Sequence, residues 1–433
     1  MRTPALVTLA AVALAGGAAG VGLGLAARGH PVAEPTRPPD AASTSVDGAS
    51  PPLPTKPPLV AAPSPMPWTA PASIAYMVPG AISFPTAADG WVLGDACDAQ
   101  QDCETGVART SDGGATWTMV SSPVGPDPAD YHPLDIEAAS SDDAWVWGAT
   151  AGGQGVFDAT HDGGASWQPV DLNGAVVVDV NVDGGSAWAV TGCAQGGETP
   201  CPVTVLSSPV GGGPWAGLAP LPATVQGAPI SNTTLGGPQL VRSGESAWLL
   251  NANQSQPGLV TTDDGGQTWV SLPLPCSEYA EMNLAASSPS DLMLACVDMG
   301  AWPAPQEVWA SQDGGAEWVL RSREWSTLLA SPLPDVGTID NEGAPIGAVL
   351  VSSTTAWMVN DREDDLVTHD DGVTWAPGAL PAEAGWNEGG GGEGLVFADA
   401  LDGWTFNSAG LWATTDGGAD WNYQPIIGPV PGW

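Results

Sequence analysis

Basic residues are the scarcest group in this chain. Its 433 residues include nine Lys and Arg against 48 Asp and Glu, for a formal net charge of −39. Beyond residue 72 there is no lysine, and the arginines are Arg109, Arg242, Arg321, Arg323 and Arg362. A chain without a basic patch cannot neutralise phosphates and release their counterions. The composition therefore excludes a nucleic-acid partner. It favours a surface kept soluble by carboxylates, or one that attracts a basic partner.

Metal-ligand spacings are missing as well. The six cysteines form no CxxC pair, and no histidine stands near enough to complete a zinc set, so we predict no metal and no cofactor. Two cysteine pairs enclose short polar loops, and a third pair remains: Cys97 with Cys103, Cys193 with Cys201, and Cys276 with Cys296. An even number of cysteines at these spacings predicts three disulfides and an oxidising compartment.

The N-terminal residues have the features of an exported protein. Residues 1–30 place Arg2 before an uncharged run of mainly Ala and Gly, which is the pattern of an export signal. The run, residues 3–27, is also long enough to span a bilayer as a helix, so a cleaved signal peptide and a membrane anchor both stay open. Residues 31–72, rich in Pro, Ala, Ser and Thr, predict a disordered spacer. We expect an extracytoplasmic protein, secreted or tethered by its N-terminal segment.

One octapeptide pattern recurs through residues 73–433. Six copies read Ser/Thr-x-Asp-Gly-Gly-x-x-Trp, with Asp371 in place of the first Gly in one of them. Their aspartates are Asp112, Asp162, Asp264, Asp313, Asp370 and Asp416. A seventh copy has Val210 at the aspartate position. A second motif, an apolar stretch with a central Trp such as DGWVLG at 89–94, precedes each copy, and in the fifth repeat Leu292 is expected at the Trp position.

These motifs predict the secondary structure of one repeat. Each unit contains strand A, a tight turn, strand B with its Trp, a loop, strand C, the octapeptide turn and strand D. Four antiparallel strands in about 50 residues make one propeller blade. We therefore predict an all-β fold over residues 73–433, a single seven-bladed β-propeller of four-stranded antiparallel blades, which we expect to be a monomer.

The octapeptide has a structural logic of its own. A carboxylate at the Asp position can accept hydrogen bonds from turn amides, and the glycines supply conformations that a Cβ forbids. The closing Trp is expected to pack between neighbouring sheets. We therefore expect the six aspartates to stabilise the fold rather than to bind a ligand.

The octapeptides resemble the Asp box of the bacterial neuraminidase repeat. That group of propellers includes sialidases, xyloglucanase-type glycoside hydrolases, sortilin-type ectodomains and the photosystem II assembly-factor type. The Ser/Thr-x-Asp-Gly-Gly-x-x-Trp form after a Gly-Trp strand is most similar to the last of these, which is non-catalytic. The resemblance implies an Asp-box propeller, and a fold of this kind leaves the activity open.

Sialidase chemistry is not expected, because the family's arginine triad has no match. The first arginine of that triad follows an aromatic residue and precedes an aliphatic residue and Pro. Here Tyr76, Val78 and Pro79 surround Met77 at that position. Arg109 and Arg242 are expected on the wrong face of the propeller. A glycoside hydrolase of another kind, which would need two suitably placed carboxylates, stays the alternative function.

The predicted topology separates two faces. The A–B turns and octapeptide turns lie on one side, here called the box face, and the B–C and D–A loops lie on the other, the loop face. The D–A loops are expected to include 121–133, 217–236, 321–345 and 377–393. Since loops on a rigid scaffold often carry function, the loops of blades 5–7 provide the candidate ligand-binding residues. These are Arg321, Arg323, Trp325, Asp361, Arg362, Asp364, Trp386 and Glu388.

The mixture of aromatic and charged residues in these loops suits a sugar, a peptide or a cation. Calcium on the acidic loops stays open, although DREDD at 361–365 lacks the glycine and the distal carboxylate of a calcium loop. The sequence therefore predicts a non-catalytic binding or assembly module. Its loop face would contact a protein or a glycan at the cell envelope.

Overall fold

The computed structural model describes most of residues 74–428. The described ranges are 74–124, 134–149, 155–192, 203–225, 238–251, 257–276, 280–298, 306–324, 337–339, 345–360, 365–380, 394–407 and 409–428. The predicted export segment (1–30) and spacer (31–72) lie outside these ranges. Within them, no helix has the length and apolar character needed to cross a membrane.

The described residues form seven sheets, each of which contains four consecutive strands, A to D, and one of which has a fifth strand. Blade 1 comprises Tyr76–Ser83, Gly90–Cys97, Cys103–Thr110 and Thr118–Val120, and blade 2 comprises Leu134–Ala138, Ala144–Ala149, Gly155–Thr160 and Gln168–Pro169. Blade 3 comprises Val176–Asp183, Ser186–Gly192, Thr204–Pro209 and Ala216–Gly217. Blade 4 comprises Pro238–Ser243, Ser246–Asn251, Gly258–Thr262 and Val270–Leu272. Blade 5 comprises Ala280–Ala286, Leu292–Asp298, Gln306–Ser311 and Val319–Glu324. Blade 6 comprises Pro345–Leu350, Ala356–Asn360, Asp365–Thr368 and Ala376–Pro377. Blade 7 comprises Gly394–Phe397, Gly403–Asn407, Gly410–Thr414 and Asn422–Gln424. A short 3-10 helix, Ala223–Val225, follows blade 3.

This architecture confirms the predicted seven-bladed β-propeller. Strands A to D pair antiparallel in order within every blade. The A strands of all neighbouring blades contact one another, including those of blades 7 and 1, so they form the inner ring around the axis. Blade 5 differs from the expectation, because a fifth strand, Gly337–Ile339, pairs parallel with its strand D. That strand D also extends to Glu324, into the region predicted as a loop over 321–345.

Polar side chains connect the inner strands of successive blades. In each connection, a backbone N–H of one strand A donates to a side-chain oxygen in strand A of the preceding blade, which satisfies a buried amide that has no ladder partner on that side. These contacts join Ser83 to Ala138, Asp179 to Leu240, Gln239 to Leu284 and Asn283 to Ala348. Glu137 accepts a hydrogen bond from Val182 in the same way.

The core lies between the blades and is centred on the strand-B tryptophans. Trp91, Trp145, Trp248 and Trp404 are almost completely buried. The Trp91 ring lies against the second glycine of the next octapeptide turn, Gly164, where a Cβ would stand only 3.2 Å from the ring. Glycine is therefore required at position 164 for two reasons: its φ is positive, at 79°, and the neighbouring ring leaves little room for a Cβ.

The closing tryptophans of several turns add edge-to-face contacts to this interface. Ring centroids lie 6.2 Å apart between Trp91 and Trp167 and 6.0 Å apart between Trp357 and Trp421, with steep interplanar angles. The indole of Trp91 also donates to the carbonyl of Ser140 in the next blade at 2.9 Å. Aromatic pairs in this geometry contribute beyond the area that they bury.

Blade 5 corrects one sequence assignment. In the other blades, the residue that pairs with the first Ser or Thr of the octapeptide directly precedes the tryptophan, as Ala144 pairs with Thr160 before Trp145. In blade 5, Leu292 pairs with Ser311, so Met293 and not Leu292 occupies the tryptophan position. Met293 accordingly packs against the next turn at Gly372. The motif contains no Trp here, and only the strand register distinguishes the two positions.

The octapeptide turns have the hydrogen bonds that the sequence predicts. Asp112 Oδ1 accepts hydrogen bonds from the Thr116 amide and the Thr110 hydroxyl, both at 2.8 Å, and Asp112 Oδ2 accepts one from the Thr116 hydroxyl at 2.6 Å. The amide of Gly114 donates to the Thr110 hydroxyl at 3.0 Å. The corresponding bond from the first Ser or Thr to the aspartate recurs at Asp162, Asp264, Asp313, Asp370 and Asp416. In blade 3, Val210 instead packs on the apolar cluster that contains Trp145.

Removing one of these carboxylates should destabilise the fold. We expect Asp416→Ala to lower the melting temperature by roughly 2–4 °C, because the Thr414 hydroxyl and the Asp420 amide lose their acceptor. Asp420→Ala in the same turn is the matched control, since it also removes one exposed negative charge. Differential scanning calorimetry would compare the two variants, and equal melting temperatures would contradict the structural role of Asp416.

Candidate functional site

The aspartates of the box face are committed to their own turns. Hydrogen bonds from Thr116 and Thr110 hold the pKa of Asp112 below its usual value. Similar bonds from Thr268 and Thr262 lower the pKa of Asp264 to about 2. These carboxylates are ionised, and their oxygens already accept hydrogen bonds from amides and hydroxyls of the same turn. The box face therefore provides no separate catalytic or ligand-binding arrangement from these residues.

Arg109 and Arg242 lie on the box face, as predicted, and they contribute there to the packing between blades. The Arg109 guanidinium donates to the carbonyl of Ser141 in blade 2 at 2.8 Å. Arg242 donates to the carbonyl and the hydroxyl of Ser186 in blade 3 at 2.8 and 3.0 Å, and its guanidinium lies 4.2 Å from the centre of the Trp188 ring. Both arginines thus link neighbouring blades through their A–B turns.

Two of the candidate ligand-binding residues lie in a strand rather than in a loop. Arg321 and Arg323 belong to strand D of blade 5, and each forms an ion pair. Arg321 pairs with Asp371 of the next octapeptide turn, whereas Arg323 pairs with Glu307 on the adjacent strand C. The pairing with Asp371 directs Arg321 to the box face and accounts for an aspartate at a position that elsewhere is glycine. A role of either arginine in ligand binding stays a prediction.

The predicted ligand-binding cluster includes six further residues. Trp325, Asp361, Arg362, Asp364, Trp386 and Glu388 lie outside the described residues. The structure therefore places Arg321 against the octapeptide turn of blade 6 and Arg323 against Glu307 in the sheet of blade 5. It does not test the predicted cluster around the loops of blades 5 to 7.

Two of the three predicted disulfides are confirmed on the loop face. Cys97 and Cys103 are directly opposite each other across strands B and C of blade 1, with their Cα atoms 4.0 Å apart. Cys276, in the segment before strand A of blade 5, bonds Cys296 on strand B, with a Cα separation of 6.0 Å. Cys193 and Cys201 lie outside the described residues. Both observed bridges tie down chain segments at the loop ends of their blades.

The hairpin closed by the first disulfide is also ordered by hydrogen bonds. Asp98 Oδ1 accepts from the amides of Gln100 and Asp102, at 2.8 and 3.0 Å, and the Asp98 amide donates to the Asp102 carbonyl. Gln101 adopts a positive φ of 67° at the tip of this turn. The hairpin therefore presents Gln100, Gln101 and Asp102 to solvent in a defined arrangement.

Three acidic side chains of the inner strands were not singled out by the sequence analysis. Asp135 and Glu137 lie on strand A of blade 2, and Asp179 lies on strand A of blade 3. Ser83 donates to Glu137 at 3.2 Å, and Asp179 accepts from the Leu240 amide at 2.6 Å. Their alternation with apolar residues, as in Leu-Asp-Ile-Glu-Ala, is the signal that could have revealed them. It resembles any half-exposed strand, and only the ring places such a side chain near the axis.

Enclosure by the ring changes the protonation of these axial carboxyl groups. Burial raises the pKa of Asp135 to about 6, although this side chain keeps contact with solvent. Burial, followed by repulsion from Asp135, raises the pKa of Glu137 to about 8. Burial also raises the pKa of Asp179 to about 8 against the hydrogen bond from Leu240. In the described residues, no three His, Cys, Asp or Glu side chains are grouped closely enough to hold a metal ion.

The order and closure of the blades define the class of the protein, a seven-bladed β-propeller. No protein-family model matches the chain, and no curated protein matches it. Among solved structures, it is similar to YCF48 bound to a D1 peptide, with 16% identity and a TM-score of 0.48 over 81% of this chain and 93% of that one. It is also similar to YCF48 from Cyanidioschyzon merolae, with 14% identity and a TM-score of 0.47 over 81% and 97% of the two chains.

A third similar structure is an enzyme. It is a variant of the alpha-L-arabinofuranosidase Arb93A from Fusarium graminearum in complex with an iminosugar inhibitor. The identity is 12% and the TM-score 0.39, over 81% of this chain and 92% of that one. Likenesses at these levels concern the propeller fold and carry no argument about activity.

The axial carboxyl groups predict a fold that is more stable in mild acid. A carboxyl group whose pKa is raised by folding favours the protonated form, so its unfavourable contribution grows as the pH rises from about 4 to about 8. The turn aspartates have lowered pKa values and lose their stabilising contribution only as the pH falls below about 4. We therefore expect the melting temperature to be highest near pH 4–5 and to fall towards pH 9.

Substitution can assign this dependence to the axial groups. Glu137→Gln and Asp179→Asn should flatten the decline between pH 5 and pH 9, because neither amide can ionise. Asp142→Asn, an exposed carboxylate on the box face, is the control that removes one charge from the surface. Thermal unfolding followed by circular dichroism would measure the slopes. Unchanged slopes in both axial variants would show that the axial carboxyl groups are not responsible.

Proposed function

We propose that this propeller is an exported, non-catalytic binding or assembly module whose loop face contacts a protein or a glycan at the cell envelope. The observation that carries the proposal is the contrast between the two faces. On the box face, the aspartates and the arginines Arg109 and Arg242 are engaged in turns and blade packing. On the loop face, two disulfides fix chain segments at the ends of strands, and one of them closes a hairpin whose tip residues are exposed.

Preorganisation supports binding at the loop face. The Cys97–Cys103 hairpin is fixed by its disulfide and by the Asp98 hydrogen bonds, yet its tip residues point to solvent. Ordering a loop before it meets its partner reduces the entropy that binding would otherwise cost. A rigid ring with ordered loops therefore suits a recognition module.

The turn geometry also supports the family resemblance. We take the octapeptides to be Asp boxes of the bacterial neuraminidase-repeat type, because the aspartate accepts the same pair of turn donors in blade after blade. The non-catalytic members of that group offer the nearest precedent. The arginine pairings argue against sialidase chemistry, since Arg109, Arg242 and Arg321 bind three different turns and do not gather around one substrate carboxylate.

A glycoside hydrolase is the second candidate, and the axial carboxyl groups are the observation that favours it. A raised pKa of the kind found at Glu137 and Asp179 suits a general acid. Both groups, however, accept hydrogen bonds within the inner ring, which accounts for their presence without catalysis. Binding therefore remains the preferred function.

The proposal can be tested with variants of the two faces. The full chain would be screened against glycan arrays and envelope-protein extract, and any hit would be measured by biolayer interferometry. Because loop-face residues would contact the partner directly, we expect at least one of Asp102→Asn, Trp325→Ala, Arg362→Ala and Trp386→Ala to weaken binding about tenfold. Asp420→Asn provides the box-face control. Hydrolysis of aryl glycosides by the same samples would be measured in parallel.

Two results would contradict the proposal. One is a loss of binding in the box-face control while all four loop-face variants bind as the parent does. The other is glycoside hydrolysis that Glu137→Gln abolishes without change in the fold, which would establish the second candidate.

The proposed location has its own test. We expect the protein outside the cytoplasm with its cysteines oxidised, because the confirmed disulfides need an oxidising compartment. Mass spectrometry of the protein from fractionated cells would identify the mature N-terminus and the thiol state. A terminus near Ala27 indicates a cleaved signal, and an intact Met1 in the membrane fraction indicates an anchor. Recovery from the cytoplasm with free thiols would contradict export.

A further inference from the structure

The junction between blades 7 and 1 differs from the other six in its connectivity. Every blade is built from strands that are consecutive in sequence, so the chain itself joins each blade to the next from 1 to 7. No sheet in the described residues combines a strand from the first blade with strands from the last. The ring must therefore be closed at this seam by side chains and by the segment that follows the last strand.

The inner polar contacts are also differently distributed near the seam. Such contacts link blades 1 to 6 in succession, through Ser83, Glu137, Asp179, Gln239 and Asn283. The strand register places Gly347 and Gly394 where blades 3 to 5 have Asp179, Gln239 and Asn283. It places Val349 and Val396 where blades 1 and 2 have Ser83 and Glu137. Neither glycine nor valine has a side-chain oxygen to accept such a hydrogen bond, so the junctions from blade 6 to 7 and from blade 7 to 1 both depend on other groups, and only the first of these is also joined by the chain.

Aromatic packing provides part of that closure. The Phe84 ring of blade 1 stacks on the Trp404 ring of blade 7, with centroids 3.7 Å apart and planes 7° from parallel. The Trp404 indole donates to the Gly113 carbonyl of blade 1 at 2.9 Å. Met77 and Leu411, from the two blades, belong to the same buried cluster.

The segment after the last strand completes the seam. Ile426 is 2% exposed and lies in the cluster shared by blades 7 and 1. The next residue, Ile427, has a φ of +68°, and the amide of Gly428 donates to the carbonyl of Ile426 at 2.8 Å. These features describe a γ-turn of the rare positive-φ kind, which a β-branched residue adopts only at a cost.

Gly428 explains why the chain accepts this turn. The turn brings Gly428 so close to Ala75 that a Cβ at position 428 would overlap the Ala75 carbonyl oxygen. Ala75 in turn donates its amide to the Cys97 carbonyl and so begins the pairing of blade 1. The turn therefore buries Ile426 at the seam and places Gly428 in contact with Ala75 at the start of blade 1. Ile427, at the centre of the turn, remains 39% exposed.

We propose that Ile426–Gly428 is a clasp that closes the propeller at the seam. It stands in the place where a strand shared by blades 7 and 1 would otherwise join these two blades. Burial of Ile426 and the seating of Gly428 on Ala75 offset the cost of the turn. Opening of the clasp releases blade 7 from blade 1 and leaves the other six junctions joined by the chain.

Hydrogen exchange of the full-length protein tests the clasp. In Ile426→Ala, amides of Gly90–Cys97 in blade 1 and Gly403–Asn407 in blade 7 should exchange about tenfold faster or more, because the seam opens locally. Ile426→Val should show a smaller effect of the same distribution. Gly428→Ala should reproduce the Ile426→Ala pattern, because its Cβ displaces the turn from Ala75.

A matched substitution at another junction is the control. Leu284 is as buried as Ile426 and lies in the cluster of blades 4 and 5. Leu284→Ala should accelerate exchange in strands of those blades and leave the seam strands protected. If Ile426→Val and Gly428→Ala exchange like the parent protein at the seam, the clasp is refuted. It is equally refuted if seam and distant strands lose protection together in the Ile426 variants while Leu284→Ala acts locally.

Discussion

The propeller depends on one repeated contact, between the strand-B tryptophan of a blade and the octapeptide turn of the next blade. A flat indole needs a flat surface, and the second glycine of the turn provides it, as Gly164 does for Trp91. The turn holds that glycine in place because its aspartate and first hydroxyl satisfy the local amides. The turn hydrogen bonds therefore act on the packing between blades as much as within them, which explains why both motifs recur together.

Charge in this molecule is divided between two environments. The turn aspartates are ionised and held by donors, whereas the axial Glu137 and Asp179 are enclosed and favour their protonated forms. The few arginines in the described part of the chain contact turns or acidic partners and reinforce the blades. The arginines of the described residues therefore serve mainly to hold the blades together. An acidic or anionic ligand would therefore find little to hold it among the described residues.

The uneven closure of the ring adds a mechanical aspect to the proposed binding function. Six junctions are covalently continuous, and the seventh depends on the Phe84–Trp404 stack and the turn at Ile427. Ala75 of blade 1 and Gly428, which follows the last strand of blade 7, lie against each other at this seam. The ring that carries the loop face is therefore closed at one junction by side-chain packing and a turn, without a continuous chain.

Much of the fold was determined by the sequence itself, because its signals are local. Six octapeptides, the degenerate seventh copy with Val210 and the apolar strands before them predict the blade count and the strand order. The cysteine spacings and this strand order predict the Cys97–Cys103 and Cys276–Cys296 bridges. Only the tertiary structure decided that Met293 rather than Leu292 faces the next turn, that Arg321 pairs with Asp371, and that Asp135, Glu137 and Asp179 meet at the axis. These features arise between blades, where the partner is some 50 residues away in the chain or across the ring. A repeat pattern specifies each blade, and the contacts between blades appear only when the ring closes.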